Sequence, residues 1–347
     1  MLDPHLLGLG TAEAPHPATQ DAVLGASRAM FHDADFDLDE LSAVFANAGI
    51  DRRTFAWPLE HYETGPGVAE RASRFAELAP QMLAEAAKKA APPALRERIT
   101  HLVTVCSSGI ATPTLECPIA PELGLPTTAR RVPVFGLGCG GGAAGIGIAR
   151  DLAMSSPDAC VLVQVVELTS LTLITGDASR RNFVACALFG DGAAAAVIGS
   201  PDADHPGLAT IGESVTRLLP DTLDLMGWDV DEHGWRVVFS PRIPAVVKRE
   251  VHSLVQAATG DQRPDNWVLH PGGAKVLDAY GTSLELTPDD MADSVATLSQ
   301  HGNMSAATVL FVLERALRRG ATGSGVLTAF GPGFSAEAVP VHFLPQS

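Results

Sequence analysis

The chain has 347 residues, with 40 acidic against 24 basic side chains and a formal net charge of −16. At 46 % hydrophobic and only 18 % charged residues it is too apolar for a disordered chain. The acidic balance excludes generic nucleic-acid binding, which needs a basic footprint, so an anionic substrate must meet a local basic patch. A prior of about 150 residues per domain predicts two domains or two fused halves.

Residues 1–35 show weak periodicity, and Met1-Leu2-Asp3-Pro4-His5 has no basic run leading into an apolar one, so no secretory signal is expected. From Asp37 the spacing of Leu38, Leu41, Val44 and Phe45 predicts a helix ending near Gly49, and a second helix is predicted over Val68–Ala91. Short apolar runs then read as buried strands: Leu102–Val105, Val132–Phe135, Cys160–Val166, Ala185–Phe189 and Ala194–Ile198. Between them a helix is predicted over Gly141–Met154. The uncharged stretch Val132–Ala149 is long, but its seven glycines and one proline fit a strand, turn and helix start better than a membrane span. Ser200–Gly207 is a polar connector and divides the chain into halves 1–204 and 205–347. Beyond it come a helix over Ile243–Ala258, a strand at Trp267–Leu269, helices from Gly273 and over Met304–Arg318, and a strand at Gly325–Phe330. This alternation predicts an α/β layered fold with a largely buried sheet.

Cys139 lies where a strand runs through a glycine-dense turn into a helix, Val134-Phe135-Gly136-Leu137-Gly138-Cys139-Gly140-Gly141-Gly142. Helix N-termini favour thiolate, and free N–H groups in such a turn suit an oxyanion. Gly136, Gly138 and Gly141 also spell a dinucleotide fingerprint, but Glu167 comes too late for its acidic partner, expected about 20 residues on. That reading also leaves Cys139 idle. His270 closes an apolar strand before Pro271-Gly272-Gly273, a position where α/β proteins place functional side chains. Asn303, in Gly302-Asn303-Met304-Ser305, is either an N-cap or, if Ser305 caps instead, an amide free to donate into a cavity. The five cysteines lack CxxC spacing, which fits reduced thiols in a cytoplasm, and no metal-ligand cluster is visible.

The stretches around Cys139, His270 and Asn303, with Leu188-Phe189-Gly190-Asp191-Gly192-Ala193 and Gly331-Pro332-Gly333-Phe334, resemble type III polyketide synthases, the chalcone-synthase-like enzymes. Leu225-Met226-Gly227-Trp228-Asp229-Val230 and Asn47-Ala48-Gly49-Ile50-Asp51-Arg52-Arg53 are more similar to the bacterial branch. The resemblance implies a thiolase fold, with a five-layered αβαβα core of two similar halves, in a cytoplasmic homodimer. It implies Cys139 as the nucleophile that accepts an acyl group from coenzyme A, and His270 as its ion-pair partner. With Asn303, His270 would also hydrogen-bond the malonyl-CoA thioester. No cofactor is implied beyond coenzyme A thioesters as substrates.

Phe189 matches a gatekeeper and Val237 the second gatekeeper position, where a small side chain would admit a roomier, fatty acyl starter. Thr169, Thr172 and Ser305 match cavity positions and Glu167 a buried polar one. The helix from Asp37 lacks the basic residues that plant members place there for the coenzyme A phosphates, so Arg52, Arg53 and Lys275 are the candidates. The rival readings are a β-ketoacyl synthase III-like condensing enzyme, a dinucleotide-dependent oxidoreductase, and a non-catalytic acyl-CoA-binding homologue.

Overall fold

A computed structural model describes residues 4–345. Ten strands join in one mixed sheet. Five come from the first half: Arg130–Phe135 at the edge, then His101–Cys106, Cys160–Leu168, Asp191–Gly199 and His5–Glu13. His5 and Leu6 pair with Thr210 and Ala209, and Ala209–Ile211 leads through Ser335–Phe343 and Gly323–Gly331 to Asn266–Leu269, with Val215–Leu218 on the side of Ser335–Phe343. The polar connector at 200–207 lies at the surface between the two sets.

Strand alternation explains the layers, because successive side chains leave opposite faces. Val161, Val163 and Val165 point into a central core, whereas Cys160, Leu162 and Val166 face the outer helix Val68–Ala90. In the second half Leu327, Ala329, Val339 and Val341 point to the same central core, and Val326, Phe330, Ala336 and Ala338 face the outer helices Ile243–Thr259 and Ala274–Ser283. The central core is filled by Gly141–Ala153 and Thr308–Arg318, one helix from each half. The result is the five-layered αβαβα arrangement of two similar halves around a shared middle layer.

Most expected elements form within a residue or two of their predicted ends. Ala185–Phe189 does not: it is the end of the helix Arg180–Leu188, capped by Ser179, whose side chain accepts from the Asn182 amide at 3.3 Å. A run of five apolar residues satisfies either period, and here the preceding cap decides it. The strand His5–Glu13, the helix Gln20–Met30 and the hairpin Met226–Asp231/Gly234–Phe239 carry no strong periodic signal and escape the sequence reading. Among the described residues no helix is long and apolar enough to cross a membrane.

The two central helices touch at glycine. A Cβ on Gly142 would lie 2.2 Å from the Ala306 carbonyl oxygen and 2.8 Å from Val309 Cγ1. Gly142→Ala should therefore force the middle layer apart and lower stability by about 1–3 kcal/mol, the usual cost of overpacking. Thermal unfolding checks this; an unchanged midpoint would show that the layer can yield.

Candidate active site

The strand Arg130–Phe135 ends in a turn that only glycine tolerates: Gly138 has φ +45°, and a Cβ there would meet the Pro332 ring at 2.6 Å. Its amide donates to Ser107 Oγ at 2.9 Å, fixing the turn. Cys139 follows in a single 3-10 turn leading into the helix Gly141–Ala153, buried, at the N-terminal end expected from the sequence. Gly141 packs against Val105 and Ala306 and Gly142 against Ala306, whereas Gly136 serves the turn itself, with φ +88° and open space around it. They do not cradle a dinucleotide.

Asn303 reaches this turn from the other half, with Cys139 Sγ 3.9 Å from Asn303 Oδ1. The same oxygen accepts the Ser305 amide at 2.8 Å, and Nδ2 donates to the Gly272 carbonyl at 3.1 Å. Neither Asn303 nor Ser305 caps the following 3-10 turn, whose cap position is Met304; the Asn303 side chain closes an Asx turn with the amide two residues on. Its amide is locked in one orientation with one of its two Nδ2 hydrogens committed to the chain. The Gly272 whose carbonyl Asn303 holds lies two residues after His270, and its amide donates to the His270 carbonyl at 3.0 Å. Both imidazole nitrogens are buried without a hydrogen-bond partner among the described residues. Burial drives the imidazole down to about 3.

Burial also pushes the Cys139 thiol up to about 12, against side-chain hydrogen bonds with Ser305 and with Asn303, whose Oδ1 accepts from the thiol, and in concert with the Glu167 carboxylate. The helix N-terminus alone does not make a thiolate here; desolvation outweighs it. Glu167, at the end of the strand Cys160–Leu168, is fully buried and accepts the Ser107 amide at 3.2 Å and Ser305 Oγ at 3.4 Å. Desolvation still raises it to about 7.

Phe189, Val237, Thr169 and Thr172 line one narrow apolar channel of about 50 Å³. Thr169 Oγ1 donates to the Gly190 carbonyl at 2.7 Å and Thr172 Oγ1 to the Thr169 carbonyl at 2.7 Å, so both hydroxyls are tied to backbone. Val237 is small, but its cross-strand partner Trp228 and the nearby Trp235 crowd the same channel, with Trp228 6.4 Å from Phe189 and from Trp235 between ring centroids. The sequence reading missed these two tryptophans because the hairpin that delivers them was not recognised.

A groove of about 710 Å³ opens on the other side of Phe239. Gly272, Gly273 and Lys275 line it, together with Glu40, Arg180 and Arg181. Lys275 therefore lies where a phosphate binder was sought. The other two candidates do not. Arg52 pairs with Glu13 at 3.2 Å on the surface, and Arg53 is fully buried, its guanidinium spent on main-chain carbonyls. Arg180 and Arg181 take their place. Among the described residues neither they nor Lys275 form an ion pair, an unusual liberty in a chain with excess carboxylates. Their sequence signal, a basic pair after Ser179, lay in a segment with no helix assigned.

Residues 58–202 match the family "Chalcone and stilbene synthases, N-terminal domain", and residues 210–345 match its C-terminal counterpart. The chain belongs to the chalcone and stilbene synthase family. It is a type III polyketide synthase, an acyltransferase. The chain is 39 % identical over 342 residues to 1,3,6,8-tetrahydroxynaphthalene synthase of Streptomyces peucetius subsp. caesius, covering 95 % of this chain and 90 % of that one. It is 30 % identical over 359 residues to 3,5-dihydroxyphenylacetyl-CoA synthase of Streptomyces toyocaensis, covering 98 % and 90 %. In fold it superposes on the C-terminal type III polyketide synthase domain of Steely1 from Dictyostelium with a TM-score of 0.90 at 24 % identity, covering 98 % of this chain and 99 % of that one. These matches remove the oxidoreductase reading.

The Glu167 contact has a measurable sign. Above about pH 7 this synthase carries a carboxylate that opposes Cys139 ionisation. Glu167→Gln should lower the thiol pKa and speed alkylation of Cys139 by iodoacetamide at pH 8, followed by peptide mass spectrometry. An equal or slower rate would remove Glu167 from the electrostatics of the thiol.

Proposed function

We propose that this synthase condenses malonyl-CoA onto a compact CoA-linked starter held on Cys139, by decarboxylation and Claisen attack, and releases a cyclised aromatic or pyrone product. The observation that carries the reading is the 3.9 Å approach of the Cys139 sulfur to Asn303 across the junction of the two halves, in a buried pocket. Loading begins with one proton. Burial holds thiol and imidazole each neutral by itself, so the reactive thiolate forms with its proton carried by His270, whose ring nitrogens have no competing partner. The thiolate attacks the starter thioester and coenzyme A leaves as its thiol, taking up the proton.

Malonyl-CoA then enters by the same groove. Loss of CO2 leaves an enolate whose charge sits on the thioester oxygen. The free Nδ2 hydrogen of Asn303 and an N–H of His270 act as fixed donors to it, worth more in a dry pocket than in water. The enolate carbon attacks the Cys139 thioester, forming the new carbon–carbon bond and expelling the thiolate. Removing a single donor of this kind costs roughly 100- to 1,000-fold in rate, so Asn303→Ala should lose CO2 release on that scale. Cys139→Ala should decarboxylate malonyl-CoA yet extend nothing. The experiment is incubation of wild type and both variants with labelled malonyl-CoA and short starters, reading CO2 and polyketide separately; polyketide from Cys139→Ala would overturn the assignment.

The channel width supports a small starter over a fatty acyl chain, because Trp228 and Trp235 occupy the space beside Val237. Trp228→Ala should move the accepted starters toward longer chains, and an unchanged profile in competition assays would refute the crowding argument. The groove supports coenzyme A binding through Arg180, Arg181 and Lys275, placed at the starts of the helices Arg180–Leu188 and Ala274–Ser283. Exposed ion pairs of this sort are worth roughly two- to fivefold each, so Arg180→Glu and Arg181→Glu should raise the malonyl-CoA KM by at least that factor and leave kcat in place. The edge strand Arg130–Phe135, with Phe135 56 % exposed, and Ile110, 70 % exposed just beyond the neighbouring strand His101–Cys106, support a homodimer formed along that edge. Five free cysteines fit a reducing cytoplasm.

A further inference from the structure

Arg53 is a fully buried cation with, among the described residues, no carboxylate in hydrogen-bond contact. Burying a guanidinium is costly unless every proton finds an acceptor. Here three do: Nη1 donates to the Cys186 carbonyl at 2.8 Å and the Phe189 carbonyl at 2.6 Å, and Nη2 to Gln20 Oε1 at 2.6 Å, while Nε has no hydrogen-bond partner among the described residues. The group lies over the Phe55 ring, 5.4 Å from its centroid, and desolvation lowers it only to about 10, so it stays charged at pH 7. Gln20 completes the clamp, its Nε2 donating to the Ala187 carbonyl at 3.0 Å and the Phe45 carbonyl at 3.2 Å.

Three of these acceptors, the carbonyls of Cys186, Ala187 and the C-cap Phe189, lie at the end of the helix Arg180–Leu188, the negative end of its dipole, and that last turn has no basic residue of its own. The same turn is joined to the Asn303 segment. The Asn303 amide donates to the Leu188 carbonyl at 2.9 Å, and the Gly190 amide donates to the Asn303 carbonyl at 3.0 Å. The aliphatic stem of Arg53 fills the space on both sides: a Cβ on Gly302 would lie 2.4 Å from Arg53 Cδ, and one on Gly190 3.3 Å from Arg53 Cβ. One side chain therefore braces Phe189 through its carbonyl and Asn303 through the residue before it.

We propose that Arg53, held by Gln20, is a positioning residue that sets Asn303 and Phe189 for the decarboxylation step. The inference rests on the proposed role of Asn303. Misplacing a reacting group by about 1 Å can cost 100-fold, so a brace loosened at the end of the helix Arg180–Leu188 should lower turnover more than it weakens binding at the groove cations on the helix's first turn.

The test uses Arg53→Met, Arg53→Lys and Gln20→Leu, the last keeping the charge and deciding the matter where an Arg53 variant does not fold. CO2 release from malonyl-CoA gives kcat, and calorimetric titration gives the malonyl-CoA Kd. The expected result is a kcat lower by roughly 10- to 100-fold in Arg53→Met and less in Gln20→Leu, with Kd within about twofold of wild type. Arg53→Lys should recover only part of the rate, because an ammonium cannot span the same three acceptors. A Kd weakened as much as kcat falls would mean a binding role, and unchanged kcat in folded Gln20→Leu would mean no role; either overturns the inference and leaves the proposed reaction standing. Wild-type protein that releases no CO2 would overturn the reaction and the inference together.

Discussion

The close approach of two helices in the middle layer governs this molecule. Gly141–Ala153 and the turn Ser305–Ala307 leading into Thr308–Arg318 meet where glycine leaves no side chain between them. Each helix begins at a turn carrying one buried polar side chain of the candidate site, Cys139 in the first half and Asn303 in the second. Neither half holds a site alone. The core that locks the helices together is drawn from strands of both halves, so the stability of the middle layer and the geometry of the site are one property.

That placement makes the site dry, and dryness sets its chemistry. Cys139, His270 and Glu167 are all buried, and desolvation moves each toward its neutral form. A thiolate can be made there only by handing its proton to a neighbour, and an enolate can be tolerated there only by fixed donors. Low dielectric penalises stray charge and strengthens the interactions aimed at charge that forms during reaction. The entrance obeys the opposite rule. Arg180, Arg181 and Lys275, without an ion pair among the described residues, lie around an exposed groove in an otherwise acidic chain, Arg180 also over the Phe36 ring. An anionic ligand there would gain from each of them.

Much of this was legible in the sequence, and the failures have physical causes. The buried strands announced themselves by Val, Ile and Ala runs, and Cys139, His270 and Asn303 by the turns that hold them, because glycine-dense turns are written locally. Val68–Ala90 and Gly141–Ala153 were found almost to the residue for the same reason. The run Ala185–Phe189 misled because five apolar residues fit either period, and with that helix missed, the groove cations Arg180 and Arg181 were missed too. Arg53 offers itself as a phosphate binder in the sequence, since nothing in its neighbours reveals that two main-chain carbonyls and a glutamine await it inside. The crowding by Trp228 and Trp235 depends on a cross-strand register, a long-range fact that residue order does not display.

The account stands or falls on the sulfur at position 139 being the atom that carries the growing chain. Intact-protein mass spectrometry after brief exposure to an acyl-CoA starter, followed by peptide mapping under acidic conditions that preserve thioesters, reads this directly. The account predicts a single acyl adduct, on the peptide containing Cys139, released by hydroxylamine. An adduct on Cys106, Cys117, Cys160 or Cys186 instead, or rapid turnover with no acyl-protein at all, would contradict it.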